Sequence, residues 1–184
     1  MRSIKKILIA NRGEIAIRVM RAAAELDIES VAIYSQEDRF SLHRFKVDES
    51  WLVGKGKTPV QAYLDADDII RIAIEAGAEA IHPGYGFLSE RPEFAQACAD
   101  AGIIFVGPPP EVMRMLGNKV AARELAVRCG VPVMPATGPL PSERDAILEL
   151  ARGIGFPVML KASWGGGGRG MRVIEDETTL FDLF

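Results

Sequence analysis

The segment Lys161-Ala-Ser-Trp-Gly-Gly-Gly-Gly-Arg-Gly-Met171 holds the residue types best suited to chemistry. Consecutive glycines open backbone N–H groups to phosphate oxygens, because no Cβ blocks the approach. Between two predicted strands, such a loop can cover a nucleotide. It is not a P-loop: Gly165 and Gly170 have the right separation, but Met171 and Arg172 stand where Lys and Ser or Thr are required. Nor does it open a helix in the GxGxxG manner, since a strand follows it. A flexible linker or wide hairpin turn is the competing reading. Arg169 inside the run and Lys161 just before it count against that alternative. Lys161 ends an otherwise apolar strand, where a buried or half-buried ammonium is costly unless an anion satisfies it, and a phosphate is the simplest such anion.

Lys119 is a second candidate, in the first turn of a predicted helix. A cation there opposes the helix dipole, whereas a bound phosphate makes the same place favourable. Most first-turn lysines are only solvated, so this residue alone decides nothing. The third feature is His82-Pro-Gly-Tyr-Gly-Phe-Leu-Ser-Glu90, directly after a predicted strand. Ligands on open parallel sheets bind beyond the C-terminal strand ends, which makes this loop a candidate site. On local residues it is evenly balanced against a structural role, with His82 and Tyr85 bonding the loop and Ser89 capping the next helix. Asn11-Arg-Gly-Glu14, with Glu37 and Asp38 after the second strand, looks like a dinucleotide-binding opening with only one glycine. It reads as a similar scaffold without the pyrophosphate fingerprint. His43, Trp51 and the acidic residues from Asp65 to Asp68 need only surface, packing and helix-charge roles.

The elements that must position these residues follow from periodicity. Strands are predicted at Lys5–Ala10, Ser30–Tyr34, Ser50–Val53, Ala78–Ile81 and Ile103–Val106, with helices at Glu14–Leu26, Asp65–Ala76 and Pro92–Ala101. Gly77 and Gly102 close the last two helices. The alternation implies an α/β fold with a parallel sheet covered on both faces. Gly107 and the prolines after it mark a domain boundary, followed by a helical segment through Met115. Beyond it, Asn118 can cap a helix at Lys119–Arg128, and Pro132–Pro141 reads as extended. A helix at Glu143–Ile154, strands at Pro157–Ala162 and Met171–Ile174, and a helix beginning at Thr178 complete the chain. That last element stops without a cap, so the sequence reads as truncated.

Among 184 residues, 22 Lys and Arg face 25 Asp and Glu, for a net charge of −3. Neither nucleic acid nor an anionic membrane is favoured as a partner. The apolar run Gly102–Pro110 is too short and too broken by proline to span a bilayer. Met1–Lys6 enters a strand with no cleavage pattern, which points to the cytoplasm. Cys98 and Cys129 are isolated and read as reduced structural thiols.

Taken in order, ILIANRGEIAIRV, AIHPGYGFLSE, FVGP, NKVAAR and KASWGGGGRGM closely resemble the biotin carboxylase component of biotin-dependent carboxylases. The resemblance covers essentially the whole chain. GKGKTPVQAYLDADDIIRIA, Trp164 and GVPVMPATGPLP look most like the bacterial pyruvate carboxylase branch, although acetyl-CoA and propionyl-CoA carboxylases share the larger motifs. A carbamoyl phosphate synthetase or purine-pathway relative shares the architecture, but HPGYGFLSE and KASWGGGGRGM argue against it.

The resemblance implies a Rossmann-like N-terminal (pre-ATP-grasp) domain over residues 1–116, then the beginning of an ATP-grasp domain with its lid loop over residues 117–184. It implies that Lys119 and Lys161 contact nucleotide phosphates, that Gly165, Gly166, Gly167 and Gly168 close over them, and that Met171 borders the adenine. It places His82, Tyr85 and Glu90 at the biotin and bicarbonate end of the cleft. ATP, Mg2+ and biotin on a carrier domain outside this chain are the implied cofactors, and a homo-oligomer the implied assembly. The magnesium-binding glutamates, the base for bicarbonate and the biotin-holding arginine fall beyond residue 184, so these residues alone are expected to lack carboxylase activity. A non-catalytic assembly module is the alternative from another class.

Overall fold

The computed structural model describes residues 3–161 and 170–182. The chain divides into two compact units, Met1–Arg114 and Met115–Phe184.

The first unit contains β1 (Lys6–Ile9), α1 (Gly13–Glu25), β2 (Glu29–Tyr34), a 3-10 turn (Glu37–Phe40), α2 (Leu42–Phe45), β3 (Glu49–Leu52), α3 (Pro59–Tyr63), α4 (Ala66–Glu75), β4 (Ala80–His82), α5 (Pro92–Asp100) and β5 (Ile104–Phe105). Its five strands are all parallel and run in the order β3-β2-β1-β4-β5. Alternate strand residues serve opposite faces, as a period of two requires. Leu8, Val31, Ile33 and Ile81 pack with Ile69, Ile72 and Ala73 of α4 and Phe94 and Cys98 of α5. Their neighbours Ile7, Ile9, Ala32 and Ala80 face Ala16, Met20 and Ala23 of α1. Each helix buries one stripe at helical spacing, and every buried Ile or Leu contributes roughly 1.5–3 kcal/mol.

The α4 C-terminus carries its own stop signal. Gly77 sits at φ +69, Gly77 N–H donates to the Ile74 carbonyl and Ala78 N–H reaches back to Ala73 at 2.8 Å. This is a Schellman closure, for which a Cβ-free residue is favoured. Three short elements escape the sequence periodicity, namely the 3-10 turn, α2 and α3. Each has five residues or fewer, which is too few for an amphipathic pattern to register.

From β1 the sheet grows one way through β2 and β3, and the other way through β4 and β5. The order therefore reverses between β1 and β4, and the loops leaving their C-terminal ends border the resulting crevice. Those loops hold Asn11-Arg12 and the His82–Glu90 segment.

The division between the units falls within α6 (Pro110–Gly117). The second unit continues with α7 (Lys119–Arg128), α8 (Arg144–Ile154), β6 (Val158–Lys161), β7 (Met171–Ile174) and α9 (Glu177–Leu180). β6 and β7 pair antiparallel with Lys161 opposite Met171, so residues 162–170 join the two strands. Ile147 and Ala151 of α8 pack against Ile174 and Leu180, with Val158 and Leu160 at the margin. Asp176 caps α9 by accepting the Thr179 N–H at 2.9 Å.

Cys98 is buried and its thiol is pushed up to about 12 by desolvation, which makes it inert. Cys129 is exposed, so it is a surface thiol rather than the structural one expected.

Candidate functional site

In the second unit a cavity of about 890 Å3 has Lys119, Val120 and Arg123 of α7 on one wall and β6 on another. The extended segment 133–140 supplies a third wall. Lys119 and Lys161 both line it, although 42 positions separate them in sequence. Arg123 braces one wall by donating to the Met134 carbonyl at 3.0 Å. Glu124 of α7 and Thr137 also line it, and the rest, from Val133 to Leu140 and along Val158, Met159 and Leu160, is mostly apolar or peptide surface. A chamber of this size with an apolar lining and two ammonium groups fits a ligand with a flat apolar part and an anionic part.

Both lysines lie in surroundings that differ from those expected of them. Lys161 is exposed, because only one face of the hairpin packs on α8 and α9, so no burial cost demands an anion there. The first turn of α7 is also already occupied: the Asn118 side chain accepts from Val120 N–H at 2.9 Å and Ala121 N–H at 3.1 Å. Any anion at Lys119 therefore meets the ammonium rather than those two amides. Met171 is partly exposed opposite Lys161 and does not stand among the described residues lining the cavity. Gly165, Gly166, Gly167 and Gly168 lie outside the described residues.

In the first unit the His82–Glu90 loop is fixed from below. Ala10 N–H donates to the His82 carbonyl at 2.9 Å, extending the β1–β4 ladder to the strand end. His82 Nδ1 accepts the Gly84 N–H at 2.9 Å, which leaves the other ring nitrogen carrying the proton in the neutral form. Burial also lowers the His82 pKa, and so favours the same neutral form. Tyr85 is 64% exposed and Glu90 is exposed, so both are open to a ligand. Ser89 does not cap α5; Arg91 occupies the N-cap position, and Pro92 opens the helix.

The residues holding this loop come from the segments after β1 and β2 and from α3. Asn11 is fully buried and its Nδ2 donates to the carbonyls of Pro83 (2.7 Å) and Tyr85 (3.0 Å). Phe87 stacks on Tyr63 with centroids 5.1 Å apart. The Tyr63 hydroxyl donates to Asp38 Oδ2 at 2.7 Å and accepts the Ser35 N–H at 3.2 Å. Asp38 is also gripped by Arg12 through Nε at 2.6 Å and Nη2 at 2.5 Å, and by the Ser41 hydroxyl at 2.8 Å. The Arg12 guanidinium holds the Asp38 carboxyl well below the ordinary range, while burial pushes the Tyr63 phenol up. Asp38 is thus saturated and turned inward, unlike an acidic residue left open to bind a ribose. His43 is buried as well: Nε2 donates to the Ile33 carbonyl at 3.2 Å and Nδ1 accepts the Gly13 N–H at 3.4 Å.

The profile of the family described as "Biotin carboxylase, N-terminal domain" matches residues 3–113. The chain belongs to that family. A second profile, "Carbamoyl-phosphate synthase L chain, ATP binding domain", matches residues 118–184, which include both cavity lysines. Mouse mitochondrial pyruvate carboxylase is 58% identical over 93% of this chain and 14% of its own length. The Staphylococcus aureus pyruvate carboxylase is 55% identical over 100% of this chain and 16% of its own. This biotin carboxylase chain therefore spans about a seventh of the length of these relatives.

Among solved structures, Rhizobium etli pyruvate carboxylase with acetyl coenzyme-A superimposes with a TM-score of 0.88 at 60% identity, covering 97% of this chain and 16% of that one. The biotin carboxylase domain of Hydrogenobacter thermophilus 2-oxoglutarate carboxylase, solved with MgADP, ADP and bicarbonate, gives 0.92 at 44% identity, covering 99% and 40%. The Rossmann-like parallel sheet and an α/β architecture shared with biotin carboxylase domains are therefore established.

Sequence reasoning missed the Asn11, Arg12, Asp38 and Tyr63 supports. The available signal was position, since Asn11 and Asp38 lie in the segments that leave the C-terminal ends of two parallel strands. Their partners lie 25 to 74 positions away, where local patterns say nothing.

Proposed function

We propose that this chain forms the front part of a biotin carboxylase module, in which ATP, bicarbonate and biotin react. The observation that carries the reading is the meeting of Lys119 and Lys161 on one apolar-walled cavity. In it the segment 133–140 and Met159 take the adenine, the two ammonium groups neutralise phosphate charge, and the glycine run closes over the top. The division of the chain is taken as 1–116 and 117–184, and Met171 is assigned to the nucleotide's border from its place opposite Lys161.

Bicarbonate oxygen bonds to the γ-phosphorus as the bond to ADP breaks, giving carboxyphosphate. Its breakdown releases phosphate and carbon dioxide, which the ureido nitrogen of biotin attacks. The task of this chain is positioning and charge neutralisation. Mg2+ would add to that neutralisation. Among the described residues no group of three or more His, Cys, Asp or Glu could hold it. His82, Tyr85 and Glu90 border the biotin and bicarbonate end, with the biotin delivered on a carrier domain. Pyruvate is the proposed final acceptor, as the relatives' names favour, and a cytoplasmic homo-oligomer the proposed assembly. Among the described residues no helix is long and apolar enough to cross a membrane.

The test is a nucleotide titration of the complete module with ATP and Mg2+, with and without Lys161→Ala. Loss of one charge-assisted contact predicts an affinity roughly 10- to 150-fold weaker. An unchanged affinity would discard the ligase reading in favour of a non-catalytic assembly role.

A further inference from the structure

Asn11 is fully buried, and its amide makes hydrogen bonds at both ends. Both Nδ2 hydrogens go to the Pro83 and Tyr85 carbonyls, at 2.7 and 3.0 Å, and Oδ1 accepts the Arg12 N–H at 2.9 Å. Gly84, between the two bonded carbonyls, has φ +64, and a Cβ there would lie 2.6 Å from Asn11 Nδ2 and 2.7 Å from Ile15 Cγ2. The asparagine amide and the bare glycine backbone are therefore matched in shape as well as in hydrogen bonding. Only a side chain with two donors on one atom can bridge these carbonyls from this distance. Aspartate, the same size, would set carboxylate oxygens against carbonyl oxygens.

Farther along the loop, Phe87 takes φ +44, a region that a bulky side chain rarely adopts, and stacks on Tyr63 at 5.1 Å. Tyr63 is in turn fixed through its hydroxyl by Asp38. The backbone is thus clamped on either side of the exposed Tyr85 ring. A core position filled only for packing would carry an apolar side chain; this one carries an amide satisfied almost wholly by the loop beside it.

We propose that Asn11 is a positioning residue that sets the Pro83–Tyr85 backbone, and with it His82 and Tyr85, for the substrate at the C-terminal ends of β1 and β4. The proposal rests on the reading that this loop borders the biotin and bicarbonate end of the site. Asn11 touches no reacting atom; it acts through the loop.

The test uses Asn11→Asp and Asn11→Ser in the complete module, with two readouts. Amide hydrogen exchange follows residues 84–91, and steady-state kinetics use free biotin and ATP as separately varied substrates. Exchange in the loop is expected to rise while β1 and β2 amides hold. A displacement near 1 Å predicts a fall of about a hundredfold in kcat/KM for biotin, with KM for ATP within about twofold of wild type. Unchanged loop exchange overturns the positioning role. So does a common fall in both substrates' constants together with the melting temperature, since that is fold damage. Faster loop exchange with unaltered biotin kinetics upholds Asn11 as the loop's anchor and overturns instead the placing of biotin at this loop. Should Asn11→Asp not fold, Phe87→Leu loosens the same loop from the Tyr63 side and must give the same split between biotin and ATP.

Discussion

Replacing Asp38 with asparagine tests how the strand ends at the crevice are held together. The side chain is 7% exposed and accepts four hydrogen bonds, two from Arg12 and one each from Tyr63 and Ser41. In the variant one oxygen becomes an NH2 group, so at least two donors face a donor. Arg12 is 48% exposed and can turn to water, so its share is closer to a surface pair's ~0.2–1 kcal/mol than to the 3–5 kcal/mol of a fully buried one. With the NH2 in place of Oδ2, Tyr63, which is 1% exposed, has no such escape, and a buried hydroxyl that loses its acceptor costs about 1–3 kcal/mol; with the NH2 in place of Oδ1 the opposed donors are Arg12 and Ser41. The sum is about 1–4 kcal/mol, a melting-temperature drop on the order of 10 °C for a unit of this size.

Guanidinium unfolding followed by Trp51 fluorescence in a Trp164→Phe background isolates the first unit. The folded pKa of Asp38 lies below the unfolded one, chiefly because of Arg12. Its contribution is therefore present above the ordinary carboxylate range and is lost as pH falls through the folded value. The difference between wild type and variant should accordingly shrink below pH ~4. A destabilisation under about 0.5 kcal/mol at pH 7, with an unchanged denaturant slope, would refute the account.

His43 and His82 both use Nδ1 to accept a glycine N–H, and burial lowers both pKa values. Stability should hold above pH ~6.5 and fall below it, by at most about 1.4 kcal/mol per pH unit for each histidine, with His43→Gln removing one contribution in the same unfolding assay. Asn118→Ala deletes the cap of α7, a helix with no buried residue to compensate, and should cost about 1 kcal/mol, read as faster amide exchange at Val120 and Ala121. Lys119→Ala, like Lys161→Ala, should weaken nucleotide binding by roughly tenfold or more while leaving thermal stability within about 0.5 kcal/mol, since both side chains are exposed; a large stability loss would mark either lysine as structural.

The amino-acid order by itself determined the five parallel strands and the longer helices between them. Apolar alternation and runs are local properties, and Gly77, Gly102 and Asn118 mark the helix ends beside them. It also supplied the candidate lysines and the loop after β4, because glycine runs and strand-end loops announce themselves within a few residues. Only tertiary structure decided which distant groups meet. The placing of α7, the segment 133–140 and β6 brought Lys119 and Lys161 onto one cavity, while the parallel sheet turned Asp38 inward onto Arg12 and Tyr63 and set Asn11 beneath Gly84. Such pairings join positions tens of residues apart, and their geometry is fixed by packing of the sheet and its flanking helices, which no local spacing encodes.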